Sequence, residues 1–248
     1  MIMIVLFYYP NDNLDAQKFQ SPKVTITINA EIPKVIDNVY AFDVIVDKND
    51  FVFFCKENQL MQIKSNLPDE TLSYELALHQ LEKYGGLPDD AKLNNFEYVS
   101  LKKINESSME IVEKYPLWSA IKFKRTLNKM PVVGPGGEID ISLGEEGELL
   151  GITKIWRSVI GENKVKTISP ETAIEELYSG NTINKLQTST NITITKIELG
   201  YYELGAGQIQ DVIKPVWIFS GYSENNDYMY LCVDAENKSE LDLPLVDL

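Results

Sequence analysis

The pattern that most clearly indicates the architecture is Ile139-Asp-Ile141-Ser-Leu143-Gly144-Glu-Glu-Gly147-Glu-Leu149, which continues to Trp156. Apolar and polar residues alternate on both sides of the two glycines, as they do in strands that bury one face. A short turn with glycine between two such strands is typical of a β-hairpin. We therefore predict an antiparallel hairpin over residues 139–156.

Further alternating stretches lie on both sides of this hairpin. They are predicted as strands at 24–28, 42–46, 51–54, 96–101, 119–127, 192–199, 212–219 and 228–233. The turn Asp47-Lys-Asn-Asp50 favours a second hairpin between two of them. Gly134-Pro-Gly-Gly137 lacks the Lys-Ser/Thr of a phosphate-binding loop, so it is predicted to be a bend that links two strands.

Two segments carry the signals of helices. Pro68-Asp69-Glu70 begins the first and Gly85-Gly86 ends it, whereas Ser169-Pro170-Glu171 begins the second and Gly180 ends it. Each helix is followed by about three strand patterns, which suggests an internal repeat. The predicted fold class is therefore α+β, with two units that each pack a helix on an antiparallel sheet.

The predicted division of the chain follows from this repeat. It consists of an apolar N-terminal segment with a linker over residues 1–20, a first α+β unit over 21–160 and a second over 161–248. The apolar run Met1-Ile-Met-Ile-Val-Leu-Phe-Tyr-Tyr9 is too short to span a bilayer and lacks a basic flank and a cleavage site. It is interpreted as a buried strand, as a weak uncleaved anchor or as the end of a truncated membrane anchor, which the linker-like stretch 11–20 favours.

The composition limits the classes of partner. The chain has 248 residues, a 44% apolar fraction and a formal net charge of −14. Such a charge opposes binding to nucleic acid or to anionic lipid, which leaves a protein or peptide as the expected partner. Cys55 and Cys232 lie in apolar strand patterns and are predicted to be buried free thiols, with one disulfide as the alternative.

Residues that could carry chemistry are few. His79 is the only histidine and is predicted to be a surface residue of the first helix, so a histidine-based zinc site is excluded. The carboxylates Asp140, Glu145, Glu146 and Glu148 are predicted to be solvated residues around a turn. We predict no catalytic residue, no metal ligand and no cofactor.

Four residues are candidates for partner binding: Tyr201, Tyr202, Trp217 and Arg157. Neighbouring side chains on a strand point to opposite faces, so one of the two tyrosines is expected to face outward. Arg125 and Arg157 are the two arginines. Each could bind a partner's carboxylate or form an internal ion pair, and we favour the internal pair.

Two stretches resemble known families. The hairpin from Gly137 to Leu149 and the helix from Pro170 to Leu177 resemble the core of PepSY-type domains. Leu199-Gly-Tyr201-Tyr202 and Pro215-Val-Trp217-Ile-Phe219 resemble the closing strands of the YycI/YycH group. Members of that group are membrane-anchored extracytoplasmic regulators of a sensor histidine kinase. The resemblance implies a surface address, no catalytic residues and regulation by protein contact.

Three functions remain open at this point. The first is a non-catalytic extracytoplasmic or cell-surface interaction module that binds a protein or peptide, including a membrane protein, at a helix–sheet groove or an open sheet edge. The second is a carboxylate-based hydrolase, which needs two carboxylates facing each other across a cleft of roughly 5 to 10 Å. The third is an intracellular protein that binds a small ligand, with a cytoplasmic location.

Overall fold

A computed structural model of the chain describes residues 24–105, 107–185 and 190–237. Strands make up 52% of it and helices 14%. The helices are α1 (Glu57–Leu60), α2 (Glu70–Glu82) and α3 (Pro170–Tyr178), with a 3-10 turn at Glu145–Gly147. The predicted N-terminal segment and linker over residues 1–20 lie outside the described residues.

The described part of the chain contains twelve strands. They are β1 (Val24–Ile28), β2 (Asn38–Ile45), β3 (Phe51–Cys55), β4 (Ala91–Ile104), β5 (Ile111–Leu127), β6 (Met130–Val133), β7 (Glu138–Leu143), β8 (Leu149–Ile155), β9 (Ser158–Lys166), β10 (Thr190–Tyr202), β11 (Val212–Ser223) and β12 (Tyr228–Asp234). Hydrogen bonds join them in the order β3-β8-β7-β5-β6-β10-β11-β2-β9, with β1 on β10, β12 on β11 and β4 on β5.

The predicted fold class, two helix-on-antiparallel-sheet units in a PepSY-like repeat, is wrong. The described chain is mostly β and forms one mixed sheet, in which β1 and β6 run parallel to β10. The prediction failed because strands pair with partners far away in sequence. β2 pairs with β9 and β11, so it does not form the predicted hairpin with β3, which pairs with β8.

Contacts between residues divide the described chain into two compact units. Unit 1 comprises residues 51–124 and 138–154, and unit 2 comprises residues 24–50, 125–137 and 155–237. Both are assembled from separate stretches of sequence, because the chain leaves each unit and returns to it.

Unit 1 places α2 against β7. The carboxylate of Asp69 accepts a hydrogen bond from the Leu72 N–H and so caps the helix, which begins within the predicted start Pro68-Asp69-Glu70. Alternate residues of β7 point inward, which confirms the hairpin pattern of 139–156. The core of this unit contains Ala77, Leu81, Leu117, Ile121, Phe123, Ile139, Ile141, Leu143, Leu150 and Ile152.

Unit 2 is built around β11, which pairs with β10, β12 and β2. Ser169 caps α3 by accepting from the Thr172 N–H, and Pro170 occupies the first turn, as predicted. The inner face of α3 joins a buried apolar cluster of Val39, Ala173, Leu177, Ile192, Ile194, Ile197, Leu199, Trp217, Phe219, Leu231, Val233 and Ala235.

Three local predictions can be compared directly with the structure. The segment Gly134 to Gly137 is a bend between β6 and β7, as predicted. Both cysteines are free, but only Cys232 is buried, and the prediction of a buried Cys55 is wrong because β3 leaves that side chain exposed. Burial raises the pKa of Cys232 to about 12, so its thiol stays protonated.

Candidate functional site

The four residues predicted to bind a partner lie largely inside unit 2. Tyr201, Trp217 and Arg157 are fully buried, and Tyr202 is half-buried. The ring of Tyr201 meets the ring of Phe42 edge-on, with centroids 5.3 Å apart, and the indole N–H of Trp217 donates to a backbone carbonyl at 3.1 Å. A contact between a partner and any of these four side chains stays a prediction.

Arg125, Arg157 and Glu203 form a cluster of buried charges, called the buried cluster below. Arg125 Nη1 lies 3.1 Å from Glu203 Oε2, and Arg157 Nη1 lies 3.4 Å from Glu203 Oε1. Arg125 also donates to the Arg157 carbonyl at 2.8 Å and lies over the Trp156 ring. The predicted internal ion pairing of both arginines is therefore confirmed.

Burial and the two arginines have opposite effects on the pKa of Glu203. Burial raises the pKa of its carboxyl group above the ordinary value, because the charged form loses its hydration. The charge of Arg125 and the hydrogen bond from the Arg157 backbone N–H act in the opposite direction. Removing either arginine would therefore leave the buried carboxylate with only part of its compensation.

The buried cluster also holds the loop between β10 and β11, residues 203–211, called the 203–211 loop below. Arg157 donates to three carbonyls of this loop, those of Leu204 at 2.6 Å, Gly205 at 3.0 Å and Gln208 at 2.8 Å. The side chain of Gln210 accepts from the Leu204 N–H at 2.8 Å. Guanidinium suits this task because it presents several donors in a fixed plane.

Glycine allows the neighbouring bend to approach Glu203 closely. A Cβ at Gly136 would lie 2.4 Å from the Leu204 carbonyl oxygen and 2.6 Å from Glu203 Cγ. Gly136 N–H itself donates to the Glu203 carbonyl at 3.0 Å. The glycines at 134–137, which sequence alone explains only as a bend, therefore also make room for the buried cluster.

Unit 1 presents a different surface, the outer part of the β4–β5 hairpin, called the ribbon below and defined as residues 102–105 and 107–114. Every residue in it is exposed. Since successive side chains of a strand point to opposite faces, both faces of the ribbon are open to solvent. It nevertheless carries four large apolar side chains, Ile104, Met109, Ile111 and Val112. A two-stranded ribbon whose apolar residues are left uncovered by the rest of the described chain is typical of a contact surface.

Four charged residues face each other across β5 and β7 in unit 1 and form what we call the surface ladder. Lys122 lies opposite Asp140, with 3.7 Å between Nζ and Oδ1, and Lys124 forms an ion pair with Glu138 directly opposite. Burial, together with the hydrogen bond and charge of Glu138, raises the pKa of Asp140 to about 7. Burial also acts to raise the pKa of Glu138, but Lys124, Asp140 and Lys122 together outweigh it and lower that pKa.

The other candidate groups are spread over the surface. His79 is 68% exposed beside Glu82, as predicted for a surface histidine. Glu145 accepts from the backbone of Ser65 and Asn66. Among residues 24–105, 107–185 and 190–237, no three His, Cys, Asp or Glu side chains come close enough to hold a metal ion. Within the same ranges, no helix has the length and apolarity needed to cross a membrane.

Comparison with known proteins decides the family. A family model described as "YycI protein" matches residues 11–235. The chain belongs to the YycI family. YycI proteins are regulators that act with partner proteins, and the family is not known for enzymatic activity.

Other comparisons add little to this assignment. A crystal structure of an uncharacterized protein from Eubacterium rectale is similar at a TM-score of 0.36 and 11% sequence identity. The match covers 81% of this chain and 66% of that chain, so this YycI chain spans less than two thirds of that protein. No curated protein matches the chain.

Sequence reasoning missed two residues of unit 2, Glu203 in the buried cluster and Ile209 in the 203–211 loop. Glu203 follows the predicted tyrosine pair directly, but its arginine partners lie 78 and 46 residues away, and nothing local identifies them. Ile209 stands as a single large apolar residue among Gly, Ala and Gln at 205–210. An isolated apolar residue in a segment that is too polar to form a strand could have been predicted as an exposed loop residue.

Proposed function

We propose that the chain is a non-catalytic regulatory module that works outside the cytoplasm by contact with a membrane protein. The observation that carries the proposal is the match of the YycI family model to residues 11–235. YycI proteins are extracellular-facing regulators of a membrane kinase complex. The expected partner is therefore an extracytoplasmic segment of such a complex.

The ribbon of unit 1 supports this proposal. Ile104, Met109, Ile111 and Val112 remain in water in the described structure, and covering them would release the free energy of apolar burial, roughly 25 cal/mol per Å². Within residues 102–105 and 107–114 the charged side chains are exposed, such as the pair of Lys103 and Glu113 with 3.2 Å between Nζ and Oε2. Such charges can stay hydrated at the rim of an interface.

The hydrolase alternative receives no comparable support. The carboxylates of the surface ladder, Glu138 and Asp140, lie two residues apart on one face of β7 and interact with each other. Glycoside hydrolysis requires two carboxylates on opposite walls of a cleft. Glu138 and Asp140 instead stand side by side on one strand.

Location can be tested in intact cells of the native host. We expect externally added protease to digest the chain in intact cells while a cytoplasmic marker survives. A chain that resists protease until the cells are lysed would contradict the extracytoplasmic proposal.

Partner contact can be tested with a photoreactive amino acid at Ile111 in the ribbon. The matched control carries it at Glu171, an exposed residue of α3. We expect illumination to join the chain to a membrane protein from position 111 and not from position 171, with competition by excess unlabelled chain. Equal yields from both positions, or no competition, would count against the ribbon as a specific contact surface.

A further inference from the structure

The 203–211 loop displays one apolar side chain to solvent. Ile209 is 90% exposed, the highest value of any large apolar residue in the described part of the chain. Its neighbours in the loop are Gly, Ala and Gln, which contribute little apolar surface of their own. An isolated exposed isoleucine is ordinary on a mobile tip, so the conformation of the loop decides how it should be interpreted.

This loop is held firmly. Arg157, a fully buried arginine, donates to the carbonyls of Leu204, Gly205 and Gln208, which lie on both sides of the loop's bend. Gln210 fastens the ends, because its side chain accepts from Leu204 N–H and donates to the Tyr202 and Val212 carbonyls at 3.0 and 3.2 Å. The backbone on both sides of Ile209 is therefore held in place before any partner arrives.

Preorganisation changes what the exposed side chain can contribute. A loop that is already ordered loses little conformational entropy on binding, so more of the free energy of burial appears as affinity. Fully burying an isoleucine side chain is worth about 1.5–3 kcal/mol. A buried charge cluster that fixes a loop around one exposed apolar residue is the arrangement expected of an anchor residue.

The surroundings indicate the chemistry of the partner. The Asp211 carbonyl accepts from Val44 N–H at 2.8 Å, and the exposed Ile45 and Val46 follow Val44 in sequence. Exposed Asp47 and Asp211 flank these apolar residues. Together with the net charge of −14, they favour a partner whose apolar pocket is surrounded by Lys or Arg.

We propose that the 203–211 loop is a docking site for the regulatory partner, with Ile209 inserted into an apolar pocket that basic residues surround. This inference rests on the proposed function and adds a surface and a partner chemistry to it. The ribbon and the loop belong to different units, so a substitution in the loop leaves the residues of the ribbon unchanged.

The test uses the full chain with the photoreactive residue at Ile111 and solubilised membranes of the native host as the probe. Unlabelled chains carrying no change, Ile209→Asp or Ile63→Asp compete for the cross-linked membrane protein. Ile63 is the matched control, since it is a 59% exposed isoleucine of unit 1. We expect Ile209→Asp to compete roughly 10- to 100-fold more weakly than the unchanged chain, and Ile63→Asp to compete normally.

Two further measurements separate the outcomes. Thermal unfolding of Ile209→Asp should match that of the unchanged chain, since the side chain is solvated. The competition should also weaken as salt rises, because the partner's basic rim is attracted to acidic residues. If Ile209→Asp competes as well as the unchanged chain, the loop proposal is overturned while the proposed function stands. If position 111 yields no cross-linked membrane protein, both proposals fail.

Discussion

The surface ladder of unit 1 and the buried cluster of unit 2 each contain two cations paired with carboxylates. The two sites differ in how far solvent reaches these charges. In the ladder the four side chains are 28–41% exposed, whereas in the buried cluster none exceeds 3%. Water screens the ladder, so each of its pairs adds little to stability. The buried charges lack that hydration and depend on one another. The comparison shows that similar ion pairs have different roles, a surface contact in one place and the fixing of a loop in the other.

The largest difference in stability between the two sites is expected from Glu203→Gln. The change keeps the shape of the side chain but leaves two buried arginines without their carboxylate, so the free energy of unfolding should fall by about 3–5 kcal/mol. Glu138→Gln in the ladder is the matched control and should cost less than about 1 kcal/mol. Urea denaturation of both variants measures the difference. Equal losses would mean that burial does not distinguish the two sites.

A smaller effect is expected from Gly136→Ala. The added Cβ would meet the Leu204 carbonyl and Glu203 Cγ within 2.6 Å, so the backbone around the buried cluster must shift. Such overpacking typically costs about 1–3 kcal/mol. Gly151→Ala in unit 1 is the control, because its Cβ would make only ordinary contacts from 3.5 Å. A Gly136→Ala chain as stable as the Gly151→Ala chain would contradict the tight packing inferred here.

The smallest expected effect concerns pH and Asp140. Its pKa is raised in the folded chain to about 7 from 3.8, so the folded state binds this proton more tightly than the unfolded state. Its contribution to stability is therefore complete below about pH 4 and lost as pH rises to about 7. Because the group is partly solvated, we expect Asp140→Asn to raise stability at pH 8 by roughly 1 kcal/mol.

The same pH experiment supplies its own check. The difference in unfolding free energy between Asp140→Asn and the unchanged chain should grow from pH 4 to pH 7 and then level off. A difference that is constant over this range would show that Asp140 titrates normally in the folded chain.

Local sequence predicted the parts of this fold that depend on local signals. Ser169 caps α3 as predicted, and α2 begins at its predicted start with Asp69 as its cap, because capping involves only residues three positions apart. The hairpin of β7 and β8 was also predictable, since its alternation and its glycine turn lie within one stretch. An internal pair for Arg157 was favoured over a partner's carboxylate from the chemistry of guanidinium alone, without its acidic partner being identified.

Long-range pairing was not predictable in the same way. The alternation of β2 indicates a strand but carries no information about β9 or β11 as its neighbours. Assigning neighbouring patterns to one another therefore produced the incorrect two-unit α+β fold. The sequence-based prediction of the site missed Ile209 for a related reason. Its exposure indicates a contact residue only once Arg157 is known to hold the loop.

The pairing of β2 with β11 has a consequence for how the chain matures. Asp43 pairs with Val212, which emerges from the ribosome about 170 residues later, a delay on the order of 10 s at typical elongation rates. Throughout that interval Phe42 and Val44 have no β11 to cover them, and a newly made chain is open to aggregation. Folding of unit 2 thus has to wait until β11 has been synthesised, although β2 lies near the start of the described residues.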